Sequence, residues 1–419
     1  MIKPYSRYID YLIEFNIVLL IFTFPLIHIW FSAWFNNFWD SLIVLWLFRH
    51  FFFKDKISIP IPPSGLFWFL FISTIIFSSF FSEQFSVSLK NIIYPLKGIA
   101  LCIILYDFSN QDEKRFQRII TYFIVSSVLV AIDAVLQVIF GKDLSGIPLR
   151  DMRATAFFSH PFFLALWSGI GLYLAIIRFF EAPTKTQKVV YQVCFLILLA
   201  AFLFSKTRAA WIAMGTIFLI SLFSMPSKRN FLKVIFPLGV ILLILFIIDD
   251  SLRTRALSIV KEIDPRWSIW KQSLIMVKER FTSMDWFWGR GPGAFKVEYP
   301  QFDFIQGKEQ FSHMILLELF YASGFFGIVT FILWLFRYMY KLFSLILHNN
   351  LNVHERFIGL MPILILLTCF INESFFSRYF SFTFWIFTGI SFSLLNRTEG
   401  NANKKKITLA SQDVGITAL

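Results

Sequence analysis

The chain has little cysteine, few acids and no large polar domain. Its three cysteines, Cys102, Cys194 and Cys369, stand singly inside apolar runs. Neither a disulfide framework nor a zinc-type spacing can be built from them, and all three are expected as buried thiols. No G-x-S-x-G, P-loop or H-E-x-x-H sequence occurs, so serine hydrolase, nucleotide-driven pump and zinc protease readings have no motif to stand on. The pair Asp249-Asp250 lacks a further carboxylate or histidine at ligand spacing and reads as a helix cap. No metal and no cofactor is expected. Ten-residue alternating strands are missing too, which excludes a membrane β-barrel.

What the chain has is apolar sequence. Of 419 residues, 57% are hydrophobic and 56 are phenylalanine, and the mean hydropathy is +0.67. Long apolar runs recur, which makes this an all-α polytopic membrane protein. Its spans fall at about 12–32, 38–53, 65–82, 92–107, 116–140, 156–179, 189–205, 208–224, 231–249, 312–336, 357–373 and 379–395, about twelve in all. Asp10 and Glu14 interrupt the region before the first run, and no small-residue cleavage site follows it, so that run reads as a retained span and not as a signal peptide. Residues 1–249 thus hold nine spans, 250–311 form one long loop, 312–396 hold three spans, and 397–419 are a polar tail expected to be disordered.

The net charge of +13 sits in short loops and reflects topology, so nucleic acid is not an expected partner. With the N-terminus cytoplasmic, the inner segments carry twenty-one Lys and Arg. The short outer loops carry seven: Lys90, Lys142, Arg150, Arg153, Lys206, Arg208 and Arg378. The bias places both termini in the cytoplasm and the long loop outside. Within that loop, Arg266 to Arg280 is predicted as an amphipathic helix with Trp267, Trp270, Leu274 and Val277 on one face. The glycines of Trp288-Gly-Arg-Gly-Pro-Gly293 force tight turns. A cap of short helices over the membrane domain follows.

Cations recur on the outer side: Lys90 before the fourth span, Arg153 before the sixth, Arg208 opening the eighth and Arg266 opening the loop helix. Singly each can snorkel; together they fit an anionic ligand, because guanidinium forks match phosphate oxygens. Of six histidines, His313 combines an outer position with a span entrance. Its near-neutral pKa class suits removal of a hydroxyl proton, although a packing or capping histidine fits the same position. Glu318 lies about 140° around the helix from it and is a poor direct partner. Gly324 and Gly327 read as close packing. A transporter would want charges near the midplane of several spans; only Lys97 and Asp133 fit.

Three groups of residues carry a resemblance. Arg153-Ala-Thr-Ala-Phe-Phe-Ser-His160-Pro161 and Ser205-Lys-Thr-Arg208-Ala-Ala-Trp211 are outer-face motifs. Arg266-Trp-x-x-Trp270 and Trp288-Gly-Arg-Gly-Pro-Gly293-x-Phe295 are loop motifs. His313-Met-Ile-Leu-Leu-Glu318 through Gly327 is the loop-exit helix. In order and topology these resemble the O-antigen ligase/polymerase superfamily over most of residues 90 to 395. Ala156 stands where a glycine is common, and Lys206-Thr207-Arg208 replaces the commoner Ser-Arg-Gly.

The resemblance implies a GT-C-like inner-membrane glycosyltransferase of lipopolysaccharide biosynthesis that works without metal. The donor would be a glycan on undecaprenyl diphosphate, and the acceptor a sugar hydroxyl of lipid A–core. Arg208 and Arg266 match diphosphate-binding arginines, Lys90 and Arg153 match further donor-site cations, and His313 matches a catalytic base. O-antigen polymerase and protein O-oligosaccharyltransferase are the alternatives within the superfamily.

Overall fold

The computed structural model describes residues 3–27, 32–53, 65–224, 266–302, 312–348, 353–370 and 373–416, together with 250, 253, 254 and 351. These are helical throughout, apart from turns and two isolated bridges in one loop. The helices are α1 (Lys3–Thr23), α2 (Ser32–Phe53), α3 (Gly65–Phe80), α4 (Phe85–Gln111), α5 (Glu113–Phe140), α6 (Pro161–Glu181), α7 (Lys185–Phe204) and α8 (Arg208–Ser224). There follow α9 (Arg266–Arg280), α10 (Ser283–Trp288), α11 (Ala294–Phe302), α12 (Ile315–Leu347), α13 (Val353–Cys369) and α14 (Arg378–Ile416). Each expected span overlaps one of these except the ninth, at 231–249, which lies outside the described residues. By length and apolar composition, α4, α5, α6, α7 and α12 can cross a membrane.

Packing follows the apolar pattern. The broadest interface joins α4 to α14; α6 lies on α7, α1 on α2, α12 on α3, and α13 on α14. Aromatic rings fill the interior. Phe24 stacks on Trp167 at 4.8 Å and on Phe382 at 4.5 Å, while Trp68 meets Trp385 edge-on at 5.0 Å. Such offset and edge contacts add to the burial of large rings. Cys102 and Cys369 are buried and Cys194 is half-buried, all as free thiols.

One end of the bundle is laced with ion pairs. Arg49 binds Asp10 at 2.6 Å and Asp107 at 3.2 Å, Arg115 binds Asp10 at 2.8 Å, and Arg118 grips Glu14 with both forks. This is the end that the charge tally assigns to the cytoplasm. The two charges that could have favoured a transporter have other partners: Lys97 pairs with Asp40 at 2.6 Å, and Asp133 accepts the Leu144 amide at 2.8 Å.

Two expectations change. α14 runs unbroken to Ile416, so residues 397–416 are helix where a disordered tail was expected. Ala402, Leu409, Ala410 and the lysines at 404–406 are good helix formers. The apolar face of α9 is also turned. Trp267 and Leu274 are 62% and 58% exposed, and the buried residues are Ile269, Ser273, Met276 and Val277. The reason is a second small core, in which Ile269, Met276 and Val277 pack with Phe295, Tyr299 and Tyr321.

The cap formed by α9, α10 and α11 docks where α12 is broken. Gly324 has φ 61 and ψ −160 inside α12. A break frees carbonyls that must find other donors. Arg290 N–H donates to Tyr321 O at 2.8 Å and Gly291 N–H to Ala322 O at 3.0 Å. The approach needs glycine on both sides: a Cβ on Gly324 would meet Phe287 C at 2.4 Å, and one on Gly289 would meet Ser323 N at 2.4 Å. The packing role expected for Gly324 thus takes the form of a backbone-to-backbone dock.

Candidate active site

The outer end is built first by the segment between α5 and α6. Gln137, fully buried in α5, organises it. Its Oε1 accepts from Thr155 N at 2.7 Å and Ala156 N at 2.9 Å, while its Nε2 donates to Ile147 O, Pro148 O and Thr155 Oγ1. Within the segment, Arg150 and Arg153 exchange both backbone hydrogen bonds at 3.0 Å. Asp151 and Met152 between them have φ 50 and 59, the signature of a two-residue type I′ hairpin. Directly opposed residues of such a ribbon project to the same side, about 5.5 Å apart at Cα. Arg150 and Arg153 therefore leave the same face of the ribbon, where directly opposed like charges are unfavourable. Asp151 offsets part of this by pairing with Arg153 at 3.2 Å.

A backbone bond carries this ribbon to Arg208. Ala154 N–H donates to Phe204 O, the last residue of α7, at 3.0 Å. The chain then reverses through Lys206, with φ 48, and Thr207 accepts from Trp211 N–H at 3.2 Å to start α8. Arg208 is the first residue of that helix and half-buried, where the helix N-terminus adds a positive field.

Arg266 and His313 are joined through the cap. Arg266 opens α9, and one turn later Trp270 Nε1–H donates to Ser312 O at 3.1 Å. His313 follows in the left-handed region with φ 53, a conformation in which histidine is over-represented among non-glycine residues. Ser312 Oγ–H donates to Met314 O at 2.9 Å, and Ile315 N–H to Phe370 O at 3.0 Å, so the turn is braced from both sides.

These pieces converge on His160. It caps α6 with its own ring, Nδ1 accepting Phe162 N–H at 3.2 Å. Burial, and then the positive charges of Arg150 and Arg153, His313 when it carries a proton, and Arg266, push the imidazole down to about 4. Three residues singled out from sequence, Arg153, Arg266 and His313, thus act on one side chain, with Arg208 beside the same ribbon. Lys90 is exposed on the first turns of α4, next to Asn91, whose side chain meets Gly293 of the glycine turn. Among the described residues no hydrogen bond or ion pair joins it to the other four.

The flanking carboxylates have structural work. Glu318 is used elsewhere than at His313, which lies before the start of α12; its oxygens accept Ser374 Oγ–H at 2.5 Å and Phe375 N–H at 2.9 Å. Glu373, in the turn so held, is pushed up to about 8 by burial; bonds from Ser377 and Ser374 oppose the shift, and the Glu318 charge adds to it. Arg290 pins the cap, binding Glu298 at 2.9 Å, Asp285 at 3.0 Å and Glu83 at 2.5 Å. Burial works against its charge, and the Glu298 bond and the Glu298 and Asp285 charges outweigh it, so the guanidinium is held more firmly protonated than usual. Among the described residues no group of three or more His, Cys, Asp or Glu is placed to hold a metal ion.

Sequence reasoning passed over Arg150, His160 and Arg290 as functional candidates. The spacing Arg150-Asp-Met-Arg153 was the available signal for the first, since it leaves two residues for a hairpin turn. His160-Pro161 was the signal for the second, a polar residue before proline being a helix start.

No curated protein matches the chain. Residues 193–332, a third of the chain, match the family model described as O-antigen ligase, and this stretch, which contains Arg208, Arg266 and His313, is similar to that family.

Proposed function

We propose that this protein is an O-antigen ligase of the bacterial inner membrane. It transfers a glycan from undecaprenyl diphosphate to a sugar hydroxyl of lipid A–core, at a site facing the periplasm and with both termini in the cytoplasm. The observation that carries this reading is the convergence of Arg150, Arg153, Arg266 and His313 on His160 at the outer end, inside and beside the matched stretch. A glycosyl diphosphate already has a good leaving group, so its departure needs charge stabilisation more than a general acid. Arginines fixed on a hairpin and at helix starts supply that without reorganising.

In the proposed step the acceptor hydroxyl oxygen attacks the anomeric carbon as the bond from that carbon to the phosphate oxygen breaks. The hydroxyl proton passes to His313, and undecaprenyl diphosphate leaves with the electron pair, its charge held by Arg208, Arg266 and Arg153. Lys90 is assigned to the same donor site as a further cation. One displacement inverts the anomeric centre, and no metal takes part. The binding of Lys97 by Asp40 and the use of Asp133 as a loop anchor favour this enzyme over a transporter.

The reading is tested by reconstituting the full chain with an undecaprenyl-diphosphate-linked glycan and lipid A–core in the presence of EDTA. Glycan on the core supports it. Chain extension on a second lipid-linked glycan, with none on the core, would make the protein a polymerase instead.

A further inference from the structure

His160 has a fixed hydrogen-bonding character. Its Nδ1 accepts from Phe162 N–H at 3.2 Å, so in the neutral ring Nε2 carries the hydrogen and can only donate. The cap bond holds one edge of the ring, and the main chain that carries it is braced. Phe163 N–H donates to the His160 backbone carbonyl at 3.1 Å, and Arg150 Nη1 donates to the carbonyl of the preceding Ser159 at 3.1 Å. Phe163 stacks on Tyr379 at 3.9 Å, which fixes the first turn of the helix that the ring caps. The groups acting on the imidazole are Arg150 and Arg153 from the hairpin, Arg266 from α9, and His313. A second cation there would be repelled by all of them, and a neutral donor would not.

We infer that His160 is a donor-site residue whose Nε2–H hydrogen-bonds an anionic oxygen of the lipid diphosphate, among arginines that bind the same group by charge. This rests on the glycosyltransferase reading above. It assigns two jobs to one ring: Nδ1 starts α6, and Nε2–H meets the ligand. The low proton affinity of the imidazole keeps it a neutral donor across the physiological range. The diphosphate then gains a directional bond at a point where further positive charge would be costly.

The two nitrogens can be separated by substitution. His160→Asn puts an amide oxygen where Nδ1 stood and keeps the cap, since asparagine is among the best N-cap residues, but it loses the Nε2–H. His160→Gln reaches the Nε2 position with an amide N–H and loses the cap. The measurement is binding of undecaprenyl diphosphate, without glycan, to the purified full chain in nanodiscs, alongside thermal stability and the KM values for donor and acceptor. A hydrogen bond to a charged group corresponds to a loss of about tenfold to a hundredfold.

The expected result is that Asn keeps the melting temperature and weakens diphosphate binding by about that factor, raising the donor KM and leaving the acceptor KM unchanged. Gln lowers the melting temperature and retains more of the binding. The reverse order, with Asn binding like wild type and Gln failing, would reduce His160 to a helix cap and overturn the inference. If the Asn variant and wild type bind equally tightly, the inference fails while the functional reading stands. If wild type itself does not bind undecaprenyl diphosphate, the functional reading fails and takes this one with it.

Discussion

Trp270 Nε1–H donates to Ser312 O at 3.1 Å, tying the first turn of α9 to the residue before His313. Arg266 sits at the start of that turn, so one indole bond sets the spacing between the proposed phosphate-binding arginine and the proposed base. Trp270→Phe keeps the ring and removes the N–H. The expected outcome is a fall in glycan transfer of about tenfold or more, since small misplacements of reacting groups are costly. The stability loss should stay near ~1 kcal/mol. Single-turnover transfer and thermal unfolding of the variant check the split; a large loss of stability with normal turnover would remove the positioning role.

Gly324 and Gly289 meet backbone to backbone. Gly324→Ala places a Cβ 2.4 Å from Phe287 C and holds a non-glycine residue at φ 61. Neither neighbour is a side-chain end that can swing away. The cap is expected to undock, which limited proteolysis between residues 266 and 302 would report. Wild-type protection of the alanine variant would contradict the docking geometry.

Arg290 predicts a related effect by charge. Glu298 is buried and receives Tyr321 O–H at 2.6 Å as well as the guanidinium. Arg290→Met leaves that carboxylate buried with only the more distant Arg280, at 4.0 Å, as a cation, a loss of up to roughly 3 kcal/mol. The double variant Arg290→Met with Glu298→Gln should recover part of it. Equal instability of the single and double variants would mean the pair matters only through packing.

Glu373 gives a pH dependence. Its folded-state pKa, about 8, lies above the ordinary carboxylate value, so between that value and about 8 the folded protein holds a proton that the unfolded chain has released. The stabilisation is full below the ordinary value and is lost as pH rises through about 8. Glu373→Gln should therefore flatten the decline in melting temperature over that window. An identical decline in the variant would assign it to other groups.

Much of the helical order was legible because membrane spans announce themselves as long apolar runs, and α9 was read at its observed bounds from spacing alone. Its buried face was not, because α9 has apolar residues on two sides and only the small core around Phe295 and Tyr299 decides between them. Arg153, Arg266 and His313 could be picked out singly as outer-face groups. Their common neighbour could not, since His160 looks like part of a span until its ring is seen capping α6. Arg290 was hidden among glycines that drew the reading to turns; its partners Glu83, Asp285 and Glu298 come from separate segments. Residue types and their side of the membrane are local properties, whereas the convergence depends on the Gln137-held loop and the broken helix α12.

The central claim is that His313 takes the acceptor's proton in a transfer whose leaving diphosphate is held by arginines. The most direct measurement is the single-turnover rate of glycan transfer from undecaprenyl diphosphate to lipid A–core by reconstituted His313→Ala at saturating donor. Loss of a general base predicts a fall of about 10²–10⁴-fold with donor binding retained. Transfer at the wild-type rate would contradict it.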